Sequence, residues 1–299
     1  MKMMPSTSRR LRSALPEIGM LMPALVLLAL FVFVPFLLSI QFSFTNERLM
    51  PRPIPVRWLG LRNYERVLND PEFWRAVRNT LYFGVVVIPA QLAISLAAAL
   101  LLNSKIRGLA VFRSIAILPL LMPMTVVGTI WAALYRTPDG LLNSAYQWLF
   151  NTLSYIDWLG DPGVAMLSII VLSIWASFPF QMLIYLAGLQ EIPKDRYEAA
   201  EIDGFGAWDV FRHVTFPGLR NTNVFVVIIT TIGALSLFTQ VNMLTGGGPN
   251  NATLTIIQYM FRNGFAEQKV GVAAAVGIIF FVTVASLSVA QRILIKNED

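Results

Sequence analysis

The chain has no cysteine, a single histidine and few charged residues. Only 13% of its 299 residues are charged, whereas 56% are hydrophobic. Without cysteine there are no disulfides and no thiolate metal sites, and His213 alone provides no histidine cluster and no Ser-His-Asp triad. Soluble domains carry about 25% charged residues, so these charges are too few to coat a water-facing surface of this size. The composition therefore predicts a membrane protein.

Charged side chains are absent from six long apolar segments of the chain. A bilayer core of about 30 Å is crossed by about 20 apolar residues in a helix. We therefore predict an all-α membrane protein with six transmembrane helices, kinked at internal prolines and interrupted in the third helix by Pro119 with Pro123. The predicted spans are Ile18–Phe44, Leu81–Leu102, Ile115–Tyr135, Ala165–Gly188, Val224–Val241 and Val270–Ala290.

Basic residues predict the orientation of these helices. They cluster in residues 1–17, in the loop after the second span, in the loop 189–223 and in the tail, all on one side of a six-span protein. The positive-inside rule places that side, with both termini, in the cytoplasm. We expect residues 1–17 to be a cytoplasmic N-terminal segment and residues 18–299 to be a single transmembrane domain.

The first loop is an exception, because it carries seven arginines on the predicted outer side. Its stretch Asn63–Phe83 mixes charged residues with large apolar ones. This pattern predicts an amphipathic helix that lies at the outer interface and is broken or restarted at Pro71.

The loop 189–223 contains the stretch EAAEIDGFGAWDVFRHVTFPG, from Glu198 to Gly218. It predicts a helix after Pro193, a break at Gly204 with positive φ, and a second helix that ends at Pro217.

Several side chains of this loop suit a partner protein. Ala199 and Ala200 form a small surface that another backbone can approach, while Glu198 and Asp203 offer carboxylates to a basic partner. Apolar surface rimmed by charge is typical of a protein contact. A solvated connection whose aromatic residues tuck against the membrane explains the same pattern, and both interpretations stay open on physical grounds.

Two predicted spans carry polar groups at helical spacing. Ser173, Ser177 and Phe180 lie at i, i+4 and i+7, and therefore on one face. Hydroxyls, an amide and an aromatic ring suit a neutral polyol, although Ser and Thr also join helices to one another in membranes. The candidates for a substrate path are Ser173, Ser177, Phe180, Gln181, Thr230, Gly233, Ala234 and Leu237.

The spacing of Glu198-Ala199-Ala200, Gly204 and Phe216-Pro217 resembles the loop signature of binding-protein-dependent ABC importer permeases. Three further stretches are similar to the carbohydrate-uptake permeases, including the first maltose permease subunit and the glycerol-3-phosphate permease. They are Gly60–Thr80, Ile117–Tyr135 with the following GLLN, and Met243–Phe265.

The resemblance implies that the loop is a coupling helix, between helices four and five, which docks on a cytoplasmic ATPase subunit. It implies a second, homologous permease in a heterodimer, two ATPase copies, an extracytoplasmic solute-binding protein, and a bacterial cytoplasmic (inner) membrane. No nucleic-acid partner is expected. The coupling residues it implies are Tyr197, Glu198, Ala199, Ala200, Asp203, Gly204 and Pro217.

The chain is not expected to be an enzyme. It has no G-x-x-x-x-G-K-[ST] phosphate loop, so we expect no cofactor on this chain and ATP with Mg on the partner ATPase. The expected solute is a sugar or related polyol; the alternative is glycerol phosphate or another non-sugar solute. An ion-coupled secondary carrier is disfavoured, because such carriers place Asp, Glu or His inside the membrane and these spans have none.

Overall fold

Helices build the whole of the described fold. The structure is a computed structural model that describes residues 20–50, 55–104 and 108–296. Within these ranges there is no β-strand, only an isolated bridge between Thr45 and Trp58. Described residues up to Val67 form one compact unit with Arg262–Ile279, and Leu68–Phe261 form a second with the residues from Phe280 onward.

Five helices are long and apolar enough to cross a membrane, and a bent pair of helices makes a sixth candidate. The bounds, in chain order, are α1 Met20–Ser43, α2 Arg62–Leu68, α3 Pro71–Asn103, α4 Leu109–Leu121, α5 Met124–Leu134, α6 Leu141–Phe150, α7 Ala165–Glu191, α8 Lys194–Ile202, α9 Ala207–Val210, α10 Phe216–Gly218, α11 Arg220–Leu235, α12 Thr239–Leu244, α13 Ile256–Phe261 and α14 Val270–Lys296. Each predicted span therefore has a helical counterpart, and α11 with α12 corresponds to the fifth.

The third predicted span is interrupted, as the prolines indicated. Helices α4 and α5 are bent by 102° at a short break. Met122 is extended, with φ −96° and ψ 134°, and Pro123 is the N-cap residue of α5. A residue before proline is pushed away from the α region, which explains why the helix ends there.

The first unit is organised by a buried asparagine. Asn63 donates hydrogen bonds to the carbonyl oxygens of Ser43, at 2.9 Å, and Thr45, at 2.7 Å. The first bond satisfies a carbonyl that the end of α1 leaves free, and the second holds the chain just beyond that end. Gly271 packs directly against the Thr45 carbonyl, where a side chain would collide, and its N–H donates to the Glu47 carbonyl at 3.1 Å.

The second unit is built around α7, which packs against α3, α4 and α11. Because lipid is as apolar as leucine, such helices associate through close packing and interhelical hydrogen bonds. Ser95 on α3 donates to the Phe178 carbonyl of α7 at 3.1 Å. Tyr135, at the end of α5, donates to the Ser168 carbonyl of α7 at 2.8 Å. The bond from Ser95 joins two of the helices that line the cavity described below.

The amphipathic stretch in the first loop restarts at Pro71, as predicted, but its second half is not a separate helix. It continues without a break into the second span, and together they form α3 of 33 residues. Pro71 stands in the first turn, where it lacks only an N–H that would be unpaired, and the Asp70 carboxylate accepts from the Glu72 N–H at 2.9 Å.

The helix that contains Pro217 ends one residue later than expected, at Gly218. A π turn over Phe211–Thr215 precedes it, and helical backbone continues through α10. The Leu219 N–H then bonds to the Thr215 carbonyl at 3.0 Å. The wide π turn shifts the hydrogen-bond register, which lets a residue without an N–H stand inside helical backbone.

The expected cytoplasmic segment 1–17 lies outside the described residues. So does the basic stretch 105–107, on which part of the predicted orientation depends. The orientation accordingly stays a prediction.

Candidate functional site: a polar cavity and an exposed acidic loop

A cavity of about 110 Å³ lies between α3, α7 and the fifth span. Seven of the eight residues predicted for a substrate path line it together, the exception being Phe180. They are Ser173, Ser177, Gln181, Thr230, Gly233, Ala234 and Leu237. The helical spacing of the polar groups therefore identified two of the three walls.

Two polar atoms in this cavity have no hydrogen-bond partner among the described residues. They are the Oγ of Ser173 and the Oε1 of Gln181, and both residues are more than nine-tenths buried. The other amide atom of Gln181, Nε2, donates to the Oγ1 of Thr230 at 3.3 Å, which joins α7 to α11. Since a buried polar group without a partner is costly, each of these atoms would gain from a hydrogen bond to water or to a polar solute.

Phe180 lies elsewhere, because its side chain is 48% exposed and does not line the cavity. Phe180 lies seven residues after Ser173 and was therefore expected on the same helical face. In the structure, the neighbouring Gln181 lines the cavity instead.

The third wall was missed from the sequence. It is formed by Phe83, Val87 and Gln91 of α3, and Ile229 and Gln240 complete the lining of the fifth span. The three α3 residues stand four apart and therefore share a face. Gln91 is the only polar group among them, and an amide in the middle of an apolar span was the signal that could have revealed this wall.

The fifth span is broken beside the cavity, between α11 and α12. The side chain of Leu237, in this break, is 3% exposed and lines the cavity. Its carbonyl oxygen accepts a hydrogen bond of 2.9 Å from the Oγ1 of Thr255, which is fully buried. Interrupted membrane helices are tolerated where such groups pair the freed backbone.

The loop that carries Thr255 is clasped by the first turns of α3. Asn79 donates to the carbonyl oxygens of Asn251, at 2.9 Å, and Leu254, at 3.0 Å. The Ile256 N–H donates to the Thr80 Oγ1 at 3.1 Å. One end of α3 therefore holds this loop, and its later turns form a wall of the cavity.

Helix α8 and the turn after it form the predicted coupling loop. Glu198, Ala199, Asp203, Gly204 and Pro217 are exposed. Ala200 is buried at 4% exposure, so the expectation that both alanines form an outer surface was wrong for Ala200. It lies three residues after Tyr197, which packs against the α7 core, and i and i+3 positions share a face.

Gly204 ends α8 with φ +74°, as predicted. The Phe205 N–H donates to the Ala200 carbonyl at 3.0 Å and the Gly204 N–H to the Glu201 carbonyl at 3.1 Å. This is the Schellman pattern of helix termination, which favours glycine at the left-handed position.

Large apolar side chains remain exposed around this turn. Ile202 is 87% exposed and Trp208 is 68% exposed, and the Trp208 ring stacks on Phe211 at 5.5 Å. Together with the carboxylates of Glu198 and Asp203, they form an apolar surface beside acidic groups, which is typical of a protein contact.

Within residues 20–50, 55–104 and 108–296, no group of three His, Asp or Glu side chains could hold a metal ion. A cavity with uncharged hydrogen-bonding groups between the helices of a membrane protein is a feature expected of multi-pass transport proteins.

Sequence comparison defines the family. The model of the family described as "binding-protein-dependent transport system inner membrane component" matches residues 91–297. The chain is 34% identical over 272 residues to the trehalose/maltose transport system permease protein MalF of Thermococcus litoralis, and this covers 90% of each chain. It is also 34% identical over 273 residues to the lactose transport system permease protein LacF of Rhizobium radiobacter, again over 90% of each. The chain belongs to this family of membrane transport components.

A solved structure has the same fold. A chain of a bacterial ABC transporter that imports the acidic polysaccharide alginate matches with a TM-score of 0.85 at 20% identity, over 97% of this chain and 98% of that one. The arrangement of helices is thus that of an ABC permease.

Proposed function

We propose that the chain is one permease subunit of an ATP-driven importer and forms half of the path for a neutral sugar or related polyol. The observation that carries this proposal is the cavity, whose lining offers hydroxyls and amides from Ser173, Gln181 and Thr230. A sugar hydroxyl both donates and accepts, so it suits the unpartnered atoms of Ser173 and Gln181. Relatives that transport trehalose, maltose and lactose support the same class of solute.

Glycerol phosphate is less well supported. A phosphate ester is usually bound by Arg or Lys, and the described cavity is lined by neither. In the absence of a cationic partner, an anionic solute would lose hydration in the cavity without compensation.

The energy source lies outside this chain. We place both termini in the cytoplasm and α8 at the cytoplasmic surface, where Glu198 and Asp203 face a basic groove of an ATPase subunit. Two such subunits and a second, homologous permease complete the complex in a bacterial inner membrane. A solute-binding protein delivers the sugar from outside, to loops that include Gly60–Thr80 and Gly246–Phe265. The exposed side chains of α8 and the left-handed Gly204 support this arrangement.

Gentle affinity purification of the tagged chain from its native membrane tests the assembly. The expected result is recovery of an ATPase subunit and a second, different permease in stoichiometric amounts. Recovery of the chain alone, or of a symmetric pair of this chain without an ATPase, would contradict the proposal.

A further inference from the structure

A set of large apolar side chains on and after α6 is strongly exposed. Leu153 is 95% exposed, Trp148 is 84% exposed and Leu149 is 68% exposed. No charged residue occurs from Leu141 to Ile156. We call the exposed members of this set the α6 surface, and they are Leu141, Trp148, Leu149, Phe150, Leu153 and Tyr155.

The asparagine of α6 faces inward, whereas its large apolar side chains face outward. Asn143 is fully buried. Its Oδ1 accepts from the Ile156 N–H at 3.0 Å and from the Trp158 indole N–H at 3.1 Å, and its Nδ2 donates to the Ile156 carbonyl at 3.0 Å. These bonds fix which side of α6 points outward, so the apolar exposure is built into the local fold.

The position of α6 follows from its attachment to an aromatic cluster. The Trp158 ring, which Asn143 holds, lies 5.8 Å from the Tyr135 ring, and Tyr135 lies 5.3 Å from Trp131. Tyr135 is the residue directly after α5, at the end of the third candidate span. Trp and Tyr are enriched where membrane helices meet water, so this cluster marks the level of the lipid headgroups.

We propose that the α6 surface lies in the membrane–water interface, with its apolar side chains at the boundary between headgroups and acyl chains. Three observations favour lipid over a protein partner: α6 is attached to the aromatic cluster through the bond between Asn143 and Trp158, the α6 surface has no charged residue, and the amide of Asn143 is used internally. Contacts between proteins that associate and separate have polar rims with about one hydrogen bond per 100–200 Å², which suits this surface poorly. Exposed tryptophan, leucine and phenylalanine are the apolar side chains that interfacial helices bury at the level of the headgroups.

The absence of native cysteine makes this proposal directly testable. Leu153→Cys and Trp148→Cys would each be spin-labelled in the intact complex in lipid nanodiscs. The accessibility of each label to oxygen, which concentrates in lipid, would be compared with its accessibility to a water-soluble nickel chelate. Asp139→Cys is the matched water-facing control, because its side chain is 65% exposed just before α6.

The expected result is at least a fivefold shift of the oxygen-to-nickel ratio towards oxygen at both α6 positions relative to Asp139→Cys. The ratio should stay the same when the binding protein is added or removed. Labels as open to the nickel chelate as the control would overturn the proposal, and so would labels shielded from both reagents, which indicate a protein cover. The measurement needs no transport activity, so it is independent of the proposed solute.

Discussion

The hydroxyl of Thr255 donates a 2.9 Å hydrogen bond to the carbonyl oxygen of Leu237, at the break between α11 and α12. Leu237 also contributes its side chain to the cavity, so this bond joins the clasped loop to the cavity wall. The bond is buried, and its acceptor belongs to a segment that has left helical geometry. The shape of the wall at Leu237 thus depends on a residue that does not line the cavity.

Thr255→Val should destabilise the protein by about 1–3 kcal/mol, because it leaves the Leu237 carbonyl buried without a partner. It should also raise the KM for solute uptake, since the cavity wall is no longer held in place. Thermal unfolding in detergent and uptake assays would measure the two effects. Thr255→Ser retains the hydroxyl and should behave almost like the wild type; equal defects in the two variants would show that the hydrogen bond is not the cause.

Ser173→Ala should lower uptake without lowering stability. The Ser173 Oγ has no partner in the described structure, so its removal abolishes the free-energy cost of an unpaired buried hydroxyl. The same change takes a hydrogen-bonding group away from the proposed solute path. Ser168→Ala on the same helix is the matched control, because the Ser168 Oγ donates to the Trp158 carbonyl at 2.8 Å. That variant should lose about 1 kcal/mol of stability and keep its KM. Normal uptake by Ser173→Ala, together with a changed KM in Ser168→Ala, would place the solute away from Ser173.

Gly204→Ala should weaken docking of the ATPase subunit roughly tenfold. A side chain in the left-handed region costs about 1–2 kcal/mol, although nothing lies within 4 Å of the new Cβ, so the effect arises from backbone strain alone. Gly206→Ala is the control, since its φ is −74° and its new Cβ would only make an ordinary contact with Asp209. Co-purification of the ATPase across a titration of detergent would compare them. An equal loss in both variants would argue against the turn as the docking element.

Gly188→Ala should destabilise the contact between α7 and the start of α11. The added Cβ would collide with the Thr222 hydroxyl and lie 3.1 Å from the Leu219 Cδ2. Overpacking of this kind costs about 1–3 kcal/mol of stability. Adding Thr222→Ala to the same chain should restore part of that lost stability. Gly84→Ala, whose new Cβ would approach Ile88 at 3.7 Å, should be nearly neutral when thermal unfolding is compared.

The helices and the polar walls of the cavity could be predicted from the sequence because both depend on local patterns. Span length, the proline pair at Pro119 and Pro123, and the helical spacing of Ser173 and Ser177 carried that information. The α3 wall could not be predicted in the same way. Phe83 and Val87 are apolar residues in an apolar span, where a cavity-facing position resembles a lipid-facing one.

Two features of the loop 189–223 depended on geometry that the sequence pattern does not encode. The π turn over Phe211–Thr215 keeps helical backbone running through Pro217, and no residue type announces such a turn. The burial of Ala200 follows from the face on which Tyr197 packs, which is a tertiary contact. By contrast, the break at Gly204 was predictable, because left-handed helix ends favour glycine.

The most direct test of the proposed function is solute uptake by the purified complex in proteoliposomes with ATP on the proposed cytoplasmic side. Maltose, trehalose, lactose and glycerol 3-phosphate would be supplied with the binding protein, and Gln181→Leu would remove the amide that joins α7 to α11. The account predicts ATP-dependent uptake of a neutral sugar, lost in Gln181→Leu although the complex stays assembled. Uptake of glycerol 3-phosphate alone, or sugar uptake unchanged by Gln181→Leu, would contradict it.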